Sequence, residues 1–419
     1  MNVMLLVPPT AHPSRWNQPP IGALFTAAVL KERGHAVRLF DLRLPCREEQ
    51  WVQGALQSDV VILETTEYDM AQCYTWELAP ARDTVLKLRA NGISAMIAAV
   101  GSHTKTAPEL TTKFLDVDAV LIGENEHVVP AFLEHLTIGQ KAPAPFVFSD
   151  KTPVDVASLP LPDYSLLDLT PYKTFVPHGN GKLELTTTAL ILANRGCPFA
   201  CDYCYIDYFG TKMRLRPVEK VIAEIKALYD KGIRNFFFLD YTFTVRKDWV
   251  LNLTAALRQE NLPITWGCQT RCDTVSQSLL DAMREAGCRY IWYGIESPDI
   301  SSQAVNKNLN REKMSAALRW TVLSGIQPMA FLLVGFPLED IDSVAEWVKA
   351  EPFIFVLSTV LPRPGTPLFA RLELETTEFD DWRALAQTAS FMLQPDRQQV
   401  GANYQAMTQL DNYFDNRLT

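Results

Sequence analysis

The chain has 419 residues, 47% of them hydrophobic and 21% charged, with a formal net charge of −9. This balance suits folded globular domains and argues against a nucleic-acid partner, because phosphate neutralisation needs a concentrated run of Lys and Arg that is absent. No stretch approaches 18 uninterrupted apolar residues, which argues against a membrane span, and eight scattered cysteines are too sparse for a disulfide scaffold.

From residue 1 to 138, short apolar runs at Asn2–Val7, Ala36–Asp41, Asp59–Glu64, Ser94–Val100 and Asp118–Ile122 read as buried strands. Helical stretches lie between them, such as Ile21–Arg33, which stops at Gly34. This alternation predicts a doubly wound parallel sheet, whose ligands bind at the carboxyl ends of the strands. The residues there are Pro8-Pro9-Thr10, Thr65-Thr66, Gly101-Ser102-His103 and Gly123-Glu124. No G-x-G-x-x-G follows the first strand, which argues against a nicotinamide or flavin dinucleotide. Met1–Val7 runs into Pro8-Pro9 without a basic leader, so no signal peptide is expected. With Cys46, Cys73, Cys268, Cys272 and Cys288 standing singly as reduced thiols, the chain reads as cytoplasmic.

Residues 139–187 form a connector whose seven prolines, from Pro143 to Pro177, stiffen an extended segment packed against both neighbours. A second alternation fills 188–371. Its strands are expected at Leu190–Asn194, Asn235–Leu239, Ile264–Gln269, Tyr290–Gly294, Met329–Val334 and Phe353–Leu357, with helices such as Val218–Lys231 and Gln277–Ala286. Six such repeats predict a partial (β/α)6 barrel with its chemistry at the strand carboxyl ends. Residues 372–419 are a short tail, helical near Trp382–Met392, expected to cap the barrel mouth.

Directly after the first barrel strand comes Arg195-Gly-Cys197-Pro-Phe-Ala-Cys201-Asp-Tyr-Cys204. Three thiolates this close can hold three corners of a [4Fe–4S] cube and leave the fourth iron open to a small molecule. A partial zinc site with a distant fourth ligand, or plain buried thiols, are the alternatives. The other strand ends offer Asp240, Arg271, Gly294-Ile-Glu296-Ser297 and Gly335-Phe-Pro337. Cys268 and Cys272 flank the end of the third barrel strand and read as small buried hydrophobes.

The C-x3-C-x2-C spacing, with Tyr203 before the last cysteine, resembles the radical S-adenosylmethionine (SAM) family. The likeness continues through Arg214-Leu-Arg-Pro217 and Pro364-Gly-Thr-Pro367. It implies that SAM chelates the open iron and that one electron cleaves the sulfonium to methionine and a 5′-deoxyadenosyl radical. Within it, the Tyr203 backbone would meet adenine, Glu296 and Ser297 the ribose hydroxyls or the SAM amine, and Arg271 the SAM carboxylate. Asp240, Gly294 and Gly335 complete this cofactor set.

The runs Pro19-Pro-Ile-Gly-Ala-Leu24, Lys31-Glu-Arg-Gly-His35, Val100-Gly-Ser-His103, Ala107-Pro-Glu109 and Gly123-Glu-Asn-Glu126 resemble the Rossmann-like cobalamin-binding domain of one large radical SAM subfamily. There the nucleotide tail enters the sheet and the corrin faces the barrel, with Thr65, Thr66, Gly101, Ser102, His103, Gly123 and Glu124 on the cofactor side. The Asp-x-His-x-x-Gly motif that ligates cobalt elsewhere is absent, and His103 reads as a loop-capping residue. Thr65, Thr66 and Ser102 also suit plain satisfaction of strand-end backbone groups. The resemblance implies a cobalamin-dependent C-methyltransferase acting on an unactivated carbon of a small metabolite, served by an electron donor such as flavodoxin or ferredoxin. One alternative is a radical SAM dehydratase, epimerase, cyclase or transferase of another SAM fragment, its amino-terminal domain structural. The other is a non-catalytic cofactor-binding protein.

Overall fold

The computed structural model describes residues 1–10, 18–66, 73–137, 145–177, 182–299, 306–336, 339–392 and 397–414. The chain opens with β1 (Asn2–Val7), α1 (Ile21–Glu32), β2 (Ala36–Asp41), α2 (Glu48–Leu56), β3 (Val60–Glu64) and α3 (Ala79–Ala90). It continues with β4 (Met96–Val100), α4 (Ser102–Thr106), α5 (Pro108–Leu115), β5 (Ala119–Ile122), α6 (Asn125–Thr137) and β6 (Phe146–Ser149). The six strands form one parallel sheet in the order β2-β1-β3-β4-β5-β6. Central β3 is buried along its whole length and reads Val-Val-Ile-Leu-Glu, whereas edge strand β2 alternates buried with exposed residues. That contrast follows from helices covering both faces of a parallel sheet's centre but not of its rim.

The second half comprises β7 (Lys173–Pro177), β8 (Leu183–Ile191), β9 (Asn194–Arg195), β10 (Arg214–Leu215), α7 (Val218–Asp230), β11 (Asn235–Phe238), α8 (Lys247–Glu260), β12 (Thr265–Thr270) and α9 (Gln277–Glu285). It goes on through β13 (Cys288–Glu296), α10 (Arg311–Leu323), β14 (Gln327–Val334), α11 (Ile341–Ala350), β15 (Ile354–Thr359), α12 (Pro367–Ala370), α13 (Trp382–Met392) and α14 (Arg397–Thr408). Strands β8 and β11 to β15 are parallel neighbours in chain order, and β7 closes one edge antiparallel to β8. This is the curled half-barrel that the six repeats predict. Side-chain caps start its outer helices where the sequence offers them: Ser276 accepts from the Leu279 N–H at 3.4 Å and Asn310 from the Lys313 N–H at 3.0 Å.

Three features were not foreseen. The proline-rich stretch contributes an edge strand to each sheet, β6 and β7, and β8 starts seven residues earlier than expected, at Leu183. Edge strands tolerate proline because one row of their backbone donors has no partner to serve. Pro143 lies outside the described residues. Helix α1 is buried from Ile21 to Leu30 without an exposed face. It is pressed on one side by α6 and on the other by the guanidinium groups of Arg195 and Arg216, 5.7 and 5.1 Å from the Phe25 ring. The tail reaches both halves: the Trp382 ring stands 6.1 Å from Trp76 and 4.9 Å from His103, while α14 lies along β14 and β15.

Candidate active site at the junction of the two sheets

The cysteine loop leaves the half-barrel at the carboxyl end of its first strand. The short antiparallel pair β9–β10 closes its base, with Arg195 opposite Arg214. Inside the loop the Cys197 N–H donates to the Gly210 carbonyl and the Cys204 N–H to the Cys201 carbonyl, both at 3.1 Å, which folds the three thiols onto one side. Cys197 Sγ lies 3.7 Å from Thr242 Oγ1, and Cys201 Sγ accepts from Arg271 Nη1 at 3.4 Å. Burial, and then the neighbouring Cys201 and Cys197 sulfurs, push the Cys204 thiol well above its ordinary pKa. A thiol whose ionisation is hindered by burial and neighbouring sulfur is a donor that a bound cation relieves. Among the described residues, no three His, Cys, Asp or Glu side chains stand close enough to share one ion. A single zinc would draw its thiolates to within about 4 Å of one another, whereas a cube takes each on a different iron. Three thiols gathered on one side of a short loop suit a [4Fe–4S] cluster with one iron left open.

Beside this loop the structure brings Tyr203, Arg271, Gly294 and Glu296 together and adds Lys307. The Tyr203 ring meets Phe336 edge-on at 6.4 Å in a small apolar cluster with Val360 and Leu368, 5.9 Å from Lys307 Nζ. Lys307 is buried, ion-paired with the Glu296 carboxylate and donating to the Gly294 carbonyl at 2.6 Å. A register shift in the β13–β14 pairing at Gly294/Glu296, with Glu296 at a φ of 60°, turns that carboxylate inward. A Cβ on Gly294 would stand 2.8 Å from Glu296 Oε1 and 3.2 Å from Lys307 Nζ, so glycine leaves the ion pair its room. Burial lowers the Lys307 ammonium to about 8, with the Cys201 sulfur opposing the shift. The sequence reading missed Lys307. Its signal was the flanking Asn306 and Asn308, both in the left-handed region at φ 52° and 56°, which turn the lysine into the fold.

Ser297 and Gly335 sit at the adjoining strand ends and share Glu339, which accepts from the Gly335 N–H at 3.0 Å and from Ser297. Pro337 lies outside the described residues. Asp240 is fully buried and accepts from the backbone N–H of Asn194, so it anchors the start of β9; burial pushes it up to about 7. Cys268 and Cys272 are buried core thiols, Cys268 beside Cys288 on the next strand, and burial pushes Cys272 up to about 12.

Across the junction, the carboxyl ends of the first sheet hold Thr65, Thr66, Gly101, Ser102 and His103 together. His103 is fully buried. Its Nε2 lies 2.8 Å from the Thr75 carbonyl, a pure acceptor, so Nε2 carries the proton. Nδ1 then accepts from the Thr66 hydroxyl at 2.9 Å, because the Thr65 hydroxyl is already given to the Val100 carbonyl at 2.8 Å. Burial holds this imidazole neutral and lowers its pKa to about 4. With both nitrogens engaged, His103 braces the loop. Gly101, at φ 123°, lets the two loops touch: a Cβ there would lie 2.5 Å from Thr65 Oγ1 and 2.8 Å from the Thr66 nitrogen.

Gly123 leads into Glu124, which belongs to a buried bracket between the two halves. Glu124 lies 2.7 Å from both Arg195 Nη1 and Arg214 Nη1, and Glu126 is 2.6 Å from Arg195 Nη2. Further bonds close the same seam: Tyr74 Oη to the Pro364 carbonyl at 2.9 Å, Arg363 Nε to the Tyr74 carbonyl at 2.9 Å and Lys105 Nζ to the Tyr208 carbonyl at 2.7 Å. Among the described residues, the buried Tyr241 hydroxyl has no hydrogen-bond partner. Burial, then Cys204, Tyr208, Cys73 and Tyr205 around it, push its phenol up, which puts the unpaired oxygen where the cysteine loop faces the first sheet. A corrin edge with amide arms is a group that such an oxygen fits.

A doubly wound sheet set with its strand carboxyl ends against a half-barrel bearing three loop cysteines defines a class by its fold: a Rossmann-like sheet joined to a partial parallel barrel. Residues 191–350 match the family model of the Radical SAM superfamily, and residues 14–133 that of the B12 binding domain. The chain is a radical SAM protein with an amino-terminal B12-binding domain; a [4Fe–4S] cluster and SAM are the cofactors of the first family and cobalamin that of the second. It is 27% identical to an uncharacterized methyltransferase of Pyrococcus horikoshii, over 88% of this chain and 82% of that protein. It is 26% identical to a putative methylthiotransferase of Methanocaldococcus jannaschii, over 76% of this chain and 68% of that protein. In fold it is similar to the radical SAM methyltransferase TsrM from Kitasatospora setae, whose structure has cobalamin and a [4Fe–4S] cluster bound; the TM-score is 0.67 at 18% identity, covering 88% of this chain and 77% of that one. No helix among the described residues is long and apolar enough to cross a membrane.

Proposed function

We propose that this protein is a cobalamin-dependent methyltransferase that alkylates an unactivated carbon of a small metabolite. The observation that carries the reading is the seam itself, where the strand carboxyl ends of both sheets meet through buried contacts such as Glu126–Arg195. When bound, the cluster and SAM supply a 5′-deoxyadenosyl radical for hydrogen removal, and cobalamin supplies the methyl group. Cys197, Cys201 and Cys204 hold three irons. Lys307 and Glu296 take the polar end of SAM, with Ser297, Gly335 and the Tyr203 backbone along its nucleoside. Thr65, Thr66, Gly101, Ser102, His103 and Gly123 shape the path for the cobalamin nucleotide tail, His103 as a brace and not as a cobalt ligand. Asp240 and Glu124 serve this site by fixing backbone and domain position. Tyr74, Tyr205, Tyr208 and Tyr241 wall the seam against water, which protects a radical from side reactions.

In this reading residues 1–138 with β6 form the cobalamin side, 188–371 the radical side, and the tail a strap across both. A flavodoxin or ferredoxin in the cytoplasm would deliver the electron, in keeping with eight cysteines of which none is joined in a disulfide. The engagement of both His103 nitrogens and the likeness to a putative methylthiotransferase favour one second reading, transfer of another group with the first sheet structural.

The test is anaerobic purification, reconstitution with iron and sulfide, and absorption spectra with and without hydroxocobalamin after gel filtration. Corrin retained one to one together with SAM cleavage supports methyl transfer through cobalamin. SAM cleavage without retained corrin moves the assignment to the second reading, and neither result sinks both. Cys201→Ala should abolish SAM cleavage; continued turnover would refute the cluster assignment.

A further inference from the structure

The Arg271 guanidinium sits at the centre of the site, 6% exposed, with the Phe199 ring 3.9 Å from its carbon. Guanidinium has five N–H donors and accepts nothing. Nε gives one to Asp273 Oδ1 at 2.9 Å; Nη2 gives two, to Asp273 Oδ2 and the Lys307 carbonyl, both at 2.8 Å; Nη1 gives one to Cys201 Sγ at 3.4 Å. Among the described residues four of the five donors are therefore committed, and the fifth stands alone on Nη1. Bidentate capture of a carboxylate needs two parallel N–H groups. To seize the SAM carboxylate in that way, Arg271 would have to surrender Asp273, Lys307 or Cys201.

We propose that Arg271 acts on the cluster and not on SAM: it binds the Cys201 sulfur and sets the reduction potential of the cube. The inference rests on the cluster reading above. Hydrogen bonds to ligand sulfurs and nearby positive charge favour the more negative, reduced state of an iron–sulfur cluster. Asp273 fixes the fork from one edge, the Lys307 carbonyl ties its end, and Phe199 covers a face, so the Nη1–Sγ bond is held by the fold. Lys307, whose ammonium is paired with Glu296, is left as the cation that can shift toward a SAM carboxylate. The electron involved is the single one the cube accepts from an external low-potential reductant, dithionite in the assay.

The experiment is a redox titration of the reconstituted full-length protein, followed by electron paramagnetic resonance in the absence of SAM, together with SAM affinity by equilibrium dialysis. For Arg271→Gln, the ratio of reduced to oxidised cluster at a fixed poise should fall tenfold or more, about 59 mV for a one-electron couple. Its SAM dissociation constant should change less than threefold. Arg271→Lys, which keeps charge but loses the fork, should lie between, and it decides the matter if the Gln variant assembles no cluster. An unmoved potential with SAM affinity weakened tenfold would make Arg271 a carboxylate anchor and overturn the inference alone. A wild-type protein that never shows a cubane signal would overturn the cluster assignment and this inference with it.

Discussion

The bracket between the two halves gives the sharpest stability prediction. Glu126 is 3% exposed and Arg195 2%, and they share two hydrogen bonds, Nη2–Oε1 at 2.6 Å and Nη1–Oε2 at 3.0 Å. Two carboxylates, Glu124 and Glu126, face two guanidinium groups, Arg195 and Arg214, so the bracket is neutral as a unit. Glu126→Gln leaves one buried positive charge in excess. Removing one partner of a buried pair costs about 3–5 kcal/mol, and Glu124 remains 2.7 Å from Arg195 to soften the loss. We expect about 3 kcal/mol for Gln. For Ala we expect about 4–5 kcal/mol, since the donors it leaves also go unsatisfied.

The assay is urea unfolding followed by tryptophan fluorescence, run beside Glu48→Gln. The Glu48–Lys87 pair is half-exposed at 3.2 Å, and losing it should cost about 0–1 kcal/mol. Because Arg195 lies two residues before Cys197, iron content after reconstitution should fall in the Glu126 variants and not in the control. Equal costs for Glu126→Gln and Glu48→Gln would refute the buried-bracket argument.

Other outcomes follow from the same geometry. The His103 pKa is depressed in the fold to about 4, so below the ordinary value near 6.5 the unfolded chain binds the extra proton. Its contribution, about 3 kcal/mol, is present in full above pH 6.5 and is lost as pH falls toward 4; in His103→Gln the urea midpoint should lose that component of its slope between pH 6.5 and 5. Lys307→Met strands the Glu296 carboxylate in the interior at a cost of about 3 kcal/mol, and it should raise the SAM dissociation constant at least tenfold; unchanged SAM affinity would remove Lys307 from the site. Tyr241→Phe removes a buried hydroxyl with no partner among the described residues and should leave the apoprotein as stable or up to about 1 kcal/mol more so, while retention of hydroxocobalamin through gel filtration drops several-fold. Equal corrin retention would show that this oxygen meets no bound group.

Much of the framework was legible because it depends on near neighbours in sequence. Asn2–Val7 and Ala36–Asp41 are strands to the residue, since an unbroken or alternating apolar run declares its own burial. Strands β6 and β7 were hidden because four- and five-residue edge strands among prolines carry little periodic signal. The cysteine loop was readable from spacing alone. Its surroundings were not. Glu124 and Asp240 sit at strand ends as expected, yet their partners, Arg195 and the Asn194 N–H, are 71 and 46 positions away and come into reach only through the fold. Lys307 lay in a loop that no strand-end rule marks. The donors of Arg271 show the same limit: its position was foreseeable, while the order in which Asp273, Lys307 and Cys201 claim its nitrogens was not.

Helix α1 has a practical consequence for protein engineering. Since α1 is covered from Ile21 to Leu30, in part by Arg195 and Arg216 of the second half over the Phe25 ring, cutting the chain between its halves would present part of that apolar helix to water. Chimeras that exchange one half for a homologue's must therefore import the opposing surface as well, or the product will aggregate.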